Sequence, residues 1–184
     1  MLRATRSAVV AASVLAAAAC STGPTSQLPR VSQTDSIDLV SSAFPSGSAI
    51  PAVYTCDGPD VSPPLAWTGG PPNEGYVLIV TDPDGRGGEF VHWIVYGISG
   101  TANSFPEGAI PGGAAQGTNG LGKTGYGGPC PPHGDSPHRY VFTLYGLRTT
   151  ADTTIPAGAS LEQVLDVIVC CIQARGTLVG TYGR

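Results

Sequence analysis

The sequence predicts a mainly β domain, and three observations carry that expectation. Glycine and proline are abundant, at 26 and 17 of 184 residues, while only 12% of residues are charged. That mixture fits a loop-rich β fold rather than a helical bundle. Short runs rich in β-branched and aromatic residues recur between Gly/Pro-rich stretches, and one segment alone carries a sustained helical period. The runs at 76–82 (YVLIVTD), 91–98 (VHWIVYGI), 139–147 (RYVFTLYGL) and 177–182 (TLVGTY) are expected strands, with 36–40 as a fifth. A helix is expected over 160–174. Ser160 and Gln163 form a capping-box pattern, and Leu161, Val164, Leu165, Ile168, Val169 and Ile172 fall at helical spacing.

The chain start is not read as part of the fold. Residues 1–7 carry Arg3 and Arg6 and no acid, and 8–19 is an unbroken small-apolar run ending at Cys20. A basic start before a short apolar core is the layout of an export signal, and the core is too short to span a bilayer. Ala17-Ala18-Ala19 suits an ordinary signal peptidase and free secretion. Small residues directly before a cysteine suit lipoprotein processing, although Ala17 stands where a leucine is expected and Leu15 lies two places further back. The lipoprotein reading is preferred. It gives a signal peptide at 1–19, a polar tether at 20–34 after an acylated (palmitate-bearing) Cys20, and a single domain at 35–184, exported and held on the outer face of the cell membrane.

Without Arg3 and Arg6 the 9 basic residues fall to 7 against 13 acidic ones, which moves the net charge from −4 to −6. No basic stripe remains, so nucleic acid is excluded as a partner. Beyond Cys20 the cysteines are Cys56, Cys130, Cys170 and Cys171. Export permits disulfides, but four cysteines allow three pairings. A Cys56–Cys130 pair is expected, because each follows a strand-flanking turn in a long loop that a staple would stabilise. The adjacent Cys170-Cys171 is poorly spaced for zinc, and no metal or cofactor is expected.

Three separated segments deliver polar groups at strand edges. Asp82-Pro83-Asp84-Gly85 ends the 76–82 run, and taken alone it is an ordinary turn. His92 opens the next run, where alternation puts it on one face with Ile94, Tyr96 and Ile98. A lone histidine there is more often a satisfied core residue than a ligand. The third segment, GGPCPPHGDSPHRY, puts Pro129, Pro131 and Pro132 in one loop before His138 and Tyr140, which share a face, while His133 is expected to be exposed. Each proline fixes φ and removes a donor, so this loop is built to present groups. Together, two imidazoles, a tyrosine hydroxyl and two carboxylates can converge on one anion site.

These segments resemble the phosphatidylethanolamine-binding proteins, also called Raf kinase inhibitor-like proteins, in their bacterial branch. The resemblance covers about residues 38–184. It rests on YTCDGPDVSPPLAW at 54–67, TDPD at 81–84, VHWIVYGI at 91–98, GTNGLGKTGYGGPCPPHG at 117–134, HRYVFTLYGL at 138–147 and TLVGTYGR at 177–184, in that order. It implies a β-sandwich with one or two short helices and a small pocket for phosphate, acetate or a phospholipid headgroup. Asp82, Asp84, His92, Gly128, Pro129, His138 and Tyr140 match the family's pocket residues. The chain departs at Gly85-Arg86, where Ala-Pro is common, and at Cys170-Cys171, where Gly-His is common.

Three functions of different class follow. Non-enzymatic binding of a small anion or phospholipid headgroup, with a regulatory role toward an exported partner, comes first. A hydrolase using His92 or His138 with Asp82 is second, though no G-x-S-x-G context supplies a nucleophile. Inhibition of an exported protease or other enzyme is third.

Overall fold

The computed structural model describes residue 28 and residues 36–70, 72–148 and 155–184. The expected signal peptide, Cys20 and all of the tether except Leu28 lie outside the described residues. The described chain forms β1 (Ile37–Val40), a 3-10 turn (Ala52–Tyr54), β2 (Leu65–Gly69), β3 (Gly75–Asp82), β4 (Phe90–Ser99), β5 (Ser104–Phe105), β6 (Ala115–Gln116), β7 (His138–Leu147), α1 (Leu161–Ile168) and β8 (Ile172–Tyr182). Two sheets result, one in the order β1-β2-β5 and the other β6-β4-β3-β7-β8. All strand pairings are antiparallel. The mainly β sandwich expected from the sequence is what forms.

β3 explains the layering. All eight of its residues are buried, and Tyr76 to Val80 runs apolar without alternation, as a strand covered on both faces requires. Leu78 and Val80 share a core with Leu39, Trp67 and Phe105 of the small sheet. Val77 and Ile79 join Val164 and Ile168 of α1 in a second core on the other face.

α1 starts as predicted. The Ser160 Oγ accepts from the Gln163 N–H at 3.3 Å, and the Ser160 N–H donates to Gln163 Oε1 at 2.9 Å. It ends at Ile168, short of the expected 174, because Ile172 fits two periods at once. Ile172 lies four residues after Ile168, but Ile172, Ala174, Gly176 and Leu178 are also the buried alternate positions of β8. The ladder with β7, running from His138↔Tyr182 to Leu147↔Ile172, takes it into the sheet. The last strand therefore begins at Ile172 instead of 177.

β4 departs from simple alternation twice. Between Tyr76↔Ile98 and Leu78↔Val95 it carries one extra residue, absorbed at Gly97 with φ +66°, a conformation that favours glycine. Ile98 thereby leaves the face of Ile94 and Tyr96 and joins the inter-sheet core with Trp93 and Val95. The second slip lies between Val80↔Trp93 and Thr81↔Val91, which leaves His92 as the unpaired extra residue. Bulges of this kind re-aim side chains.

Candidate functional site

β7 buries His138, Tyr140, Phe142 and Leu144 on alternate positions. The last three belong to the inter-sheet core, so His138 sits where that core meets the end of the sandwich. β3 ends beside it at Asp82, two residues beyond the core residue Val80 and therefore on the same face. His138 Nδ1 and Asp82 Oδ2 are 2.7 Å apart, and both side chains are more than nine-tenths buried. The other Asp82 oxygen accepts the Asp84 N–H at 2.8 Å. The turn and the site are thus one structure: one carboxylate oxygen closes the turn and the other holds the imidazole.

His92, re-aimed by its bulge, is buried with its Nδ1 2.6 Å from the Gly127 carbonyl. Its ring meets Phe90 and Tyr140 edge-on, at centroid distances of 4.9 and 5.1 Å. Burial pushes its pKa below the ordinary value, against the opposing pull of the Gly127 carbonyl and Asp82. His92 is therefore a neutral imidazole that donates through Nδ1 to Gly127, which leaves Nε2 as an acceptor. Tyr140 is buried, and no described group accepts its hydroxyl proton. Burial and the charge of Asp82 push its pKa up, while the Cys130 N–H opposes them, so the hydroxyl keeps its proton and remains a donor.

These groups line a cavity of about 360 Å³. Five of the seven expected residues border it: Asp82, His92, Gly128, His138 and Tyr140. Asp84 and Pro129 do not. Asp84 is a brace, bound to Arg139 through Nη2 at 2.6 Å and through both Nε and the backbone N–H at 2.9 Å. Those Arg139 hydrogen bonds hold its carboxyl down at about 2. Pro129 is buried, and its carbonyl accepts the Cys56 N–H at 3.1 Å.

The expected disulfide is present: Cys56 and Cys130 are joined with their Cα atoms 5.4 Å apart. Gly128 is pinned behind it by its N–H to Asp60 Oδ1 at 2.7 Å. A Cβ at Gly128 would collide with Asp60 Oδ1 and the Tyr54 carbonyl, so only glycine fits. Arg184 closes the proline loop from outside, with Nε 2.7 Å from the Pro131 carbonyl. His133 is exposed, as expected.

Sequence reasoning missed Arg86, Glu89, Phe90 and Leu121, which also border the cavity. The Gly-rich stretch 85–88 was their one signal, since a glycine loop between two strands at this edge must form a wall. Arg86 reaches Asp135 through Nε at 3.0 Å and Nη2 at 2.5 Å. Asp135 in turn lies 3.7 Å from His138 Nε2. Among the described residues no cluster of three or more His, Cys, Asp or Glu side chains is placed to hold a metal ion. No helix among them is long and apolar enough to cross a membrane.

A two-sheet sandwich whose inter-sheet core ends in a ligand-sized cleft, with polar groups converging on an otherwise apolar lining, is a binding domain for small molecules. The family description "Phosphatidylethanolamine-binding protein" matches residues 40–183, and the chain belongs to that family. A UPF0098 protein of Aquifex aeolicus is 39% identical over 153 residues, covering 80% of this chain and 89% of its own. The Mycobacterium tuberculosis protein LppC, named as a candidate lipoprotein, is 38% identical over 146 residues, covering 79% of this chain and 72% of its own. Among solved structures, the Chlamydia trachomatis protein CT736, described as a candidate member of the family, superposes with a TM-score of 0.75 at 39% identity, over 82% of this chain and 99% of its own. YbcL of E. coli, described as a new member of the mammalian family, gives 0.74 at 28% identity, over 80% of this chain and 98% of its own.

Proposed function

We propose that this chain binds a small phosphate-bearing zwitterion of the phosphoethanolamine kind, without turning it over, outside the cytoplasmic membrane on a lipid anchored through Cys20. The observation that carries the reading is the buried Tyr140 hydroxyl, a donor with no acceptor, beside the Asp82–His138 pair on one cavity wall. An unsatisfied buried donor costs about 1–3 kcal/mol, so an acceptor supplied by a ligand is strongly favoured there. In the imidazolium form, His138 Nε2–H is a second, charged donor. The cavity's acids favour a zwitterion over a bare dianion. Glu89 and Asp82 line the same space as Tyr140 and His138, and their carboxylates suit an ammonium group. The lining contains no serine or threonine, and its one cysteine, Cys130, is tied in a disulfide. That supports binding over covalent catalysis. The anchor is supported by the layout of residues 1–20 and by the name of the relative LppC.

Mass spectrometry of small molecules retained by the purified domain tests the ligand, and an amine-bearing phosphate ester is expected. Retention of no phosphorus compound, together with no binding of added phosphoethanolamine, contradicts the reading. Replacing Cys20 with alanine should move the protein out of the membrane fraction, and unchanged retention contradicts the anchor.

A further inference from the structure

The cavity leaves one cluster of nucleophilic side chains unused. Cys170 and Cys171 lie at the turn where α1 becomes β8, with their sulfur atoms 2.9 Å apart. The first is exposed and the second half-buried. We infer that Cys170 and Cys171 are a reversible redox pair, closing to a vicinal disulfide by exchange with an exogenous disulfide. The same chain already holds a formed disulfide at Cys56–Cys130, which an oxidising compartment maintains.

The two cysteine pairs differ in geometry. Cys56 and Cys130 have Cα atoms 5.4 Å apart, inside the usual range for a disulfide. Neighbouring residues joined by a trans peptide are about 3.8 Å apart, below that range. A disulfide between neighbours is therefore strained, and strained, exposed disulfides are the readily reduced ones. The first pair is a staple and the second a responsive site.

The order of events follows from exposure. The contact with the Cys170 sulfur, followed by burial, raises the Cys171 pKa. Cys170 is the more exposed sulfur, so it attacks first. Attack on a disulfide RSSR forms a Cys170–SR mixed disulfide and releases RS⁻. The deprotonated Cys171 sulfur then attacks Cys170, forms the Cys170–Cys171 bond and expels the second RS⁻. Two protein thiols are oxidised and one RSSR becomes two RSH. Closure stiffens a turn already held by the Cys171 N–H to the Ile168 carbonyl at 2.8 Å and the Arg148 N–H to the Cys171 carbonyl at 3.0 Å.

The test treats the full chain with oxidised glutathione, alkylates free thiols and maps peptides by mass spectrometry without reduction. The expected peptide spanning 170–171 is lighter by two hydrogens and unalkylated. Reduced glutathione should reopen it at concentrations that leave Cys56–Cys130 intact. Cys171→Ser should stop at a glutathione adduct on Cys170, and Cys170→Ser should form its adduct at least tenfold more slowly. Both cysteines alkylated after oxidation, a separate glutathione on each in the unmutated chain, or only chain-to-chain disulfides would each overturn the proposal.

Discussion

The two loops that wall the cavity are built on opposite principles. The wall at 127–134 is stiff: Pro129, Pro131 and Pro132 fix its backbone, Cys130 is bonded to Cys56, Gly128 is pinned to Asp60, and Arg184 holds the Pro131 carbonyl. The wall at 85–89 is glycine-rich. Gly88 takes φ +105° and bonds back to the Gly85 carbonyl at 3.0 Å. Its outer anchor is the exposed Arg86–Asp135 ion pair, with Glu89 held by the Thr81 hydroxyl at 2.9 Å. Segments held by few, exposed bonds open at low free-energy cost. The stiff wall holds a fixed shape, and the glycine wall adds Arg86 and Glu89 to the charged groups of the cavity.

Breaking the stiff wall has the largest effect. Replacing Cys56 and Cys130 together with serine frees a loop of 74 residues. The expected loss is about 2–4 kcal/mol of stability, or roughly 5–15 °C in Tm by calorimetry. Phosphoethanolamine binding should fall with it. An unchanged Tm would show that the prolines and hydrogen bonds suffice.

On the glycine wall, Arg86→Ala removes a cation together with the wall's exposed outer tie to Asp135. The ion pair is exposed and screened by water, so stability should change little. Affinity for inorganic phosphate should fall about three- to tenfold, and more at low salt than at high. Equal loss for a neutral ligand of the same size would mean that Arg86 acts by packing instead of charge.

Two pH effects separate site from brace. Burial holds the His92 pKa below its ordinary 6.5. As pH falls, the unfolded chain takes this proton first, so the stability gained from a neutral His92 is full above about 6.5 and lost as pH drops toward the folded value. His92→Gln should flatten that part of a Tm–pH curve. Asp84 acts lower on the scale. Its stabilisation is full above the ordinary 3.8 and lost as pH falls toward about 2. Asp84→Asn should remove only this acid limb, a smaller effect because the pair with Arg139 is partly exposed.

The stiff wall was legible in the sequence and the glycine wall was not, for a physical reason. Prolines, a cysteine and H-x-Y on a strand announce fixed geometry and point to His138, Tyr140 and the disulfide, whereas Gly128 and Pro129 are named only through the family resemblance, and Pro129 does not border the cavity. Glycine announces only permission, so Arg86 and Glu89 gave no signal of where they would point. Asp84 shows the converse error. Its DPD pattern is that of the family's pocket, yet its carboxylate is bound to Arg139 and does not border the cavity. The five expected strands lie within a residue or two of the observed ones except at Ile172, where two periods overlapped; β2, β5 and β6 were not expected at all, and bulges at Gly97 and His92 shifted parity within β4. Local pattern fixes strands well, but bulges depend on the partner strand, which no single run reveals.

The central claim is that His138, oriented by Asp82, and Tyr140 bind the phosphate of the ligand. Titration calorimetry of phosphoethanolamine into the unmutated chain and His138→Ala, beside a screen for phosphate- and acyl-ester turnover, tests it most directly. Losing a charge-assisted hydrogen bond is worth ~1.5–3 kcal/mol, so the variant should bind on the order of tenfold to a hundredfold more weakly. Neither protein should turn over ester. Equal affinity in the two proteins contradicts the site, and robust turnover by the unmutated chain that vanishes in the variant would make it a hydrolase.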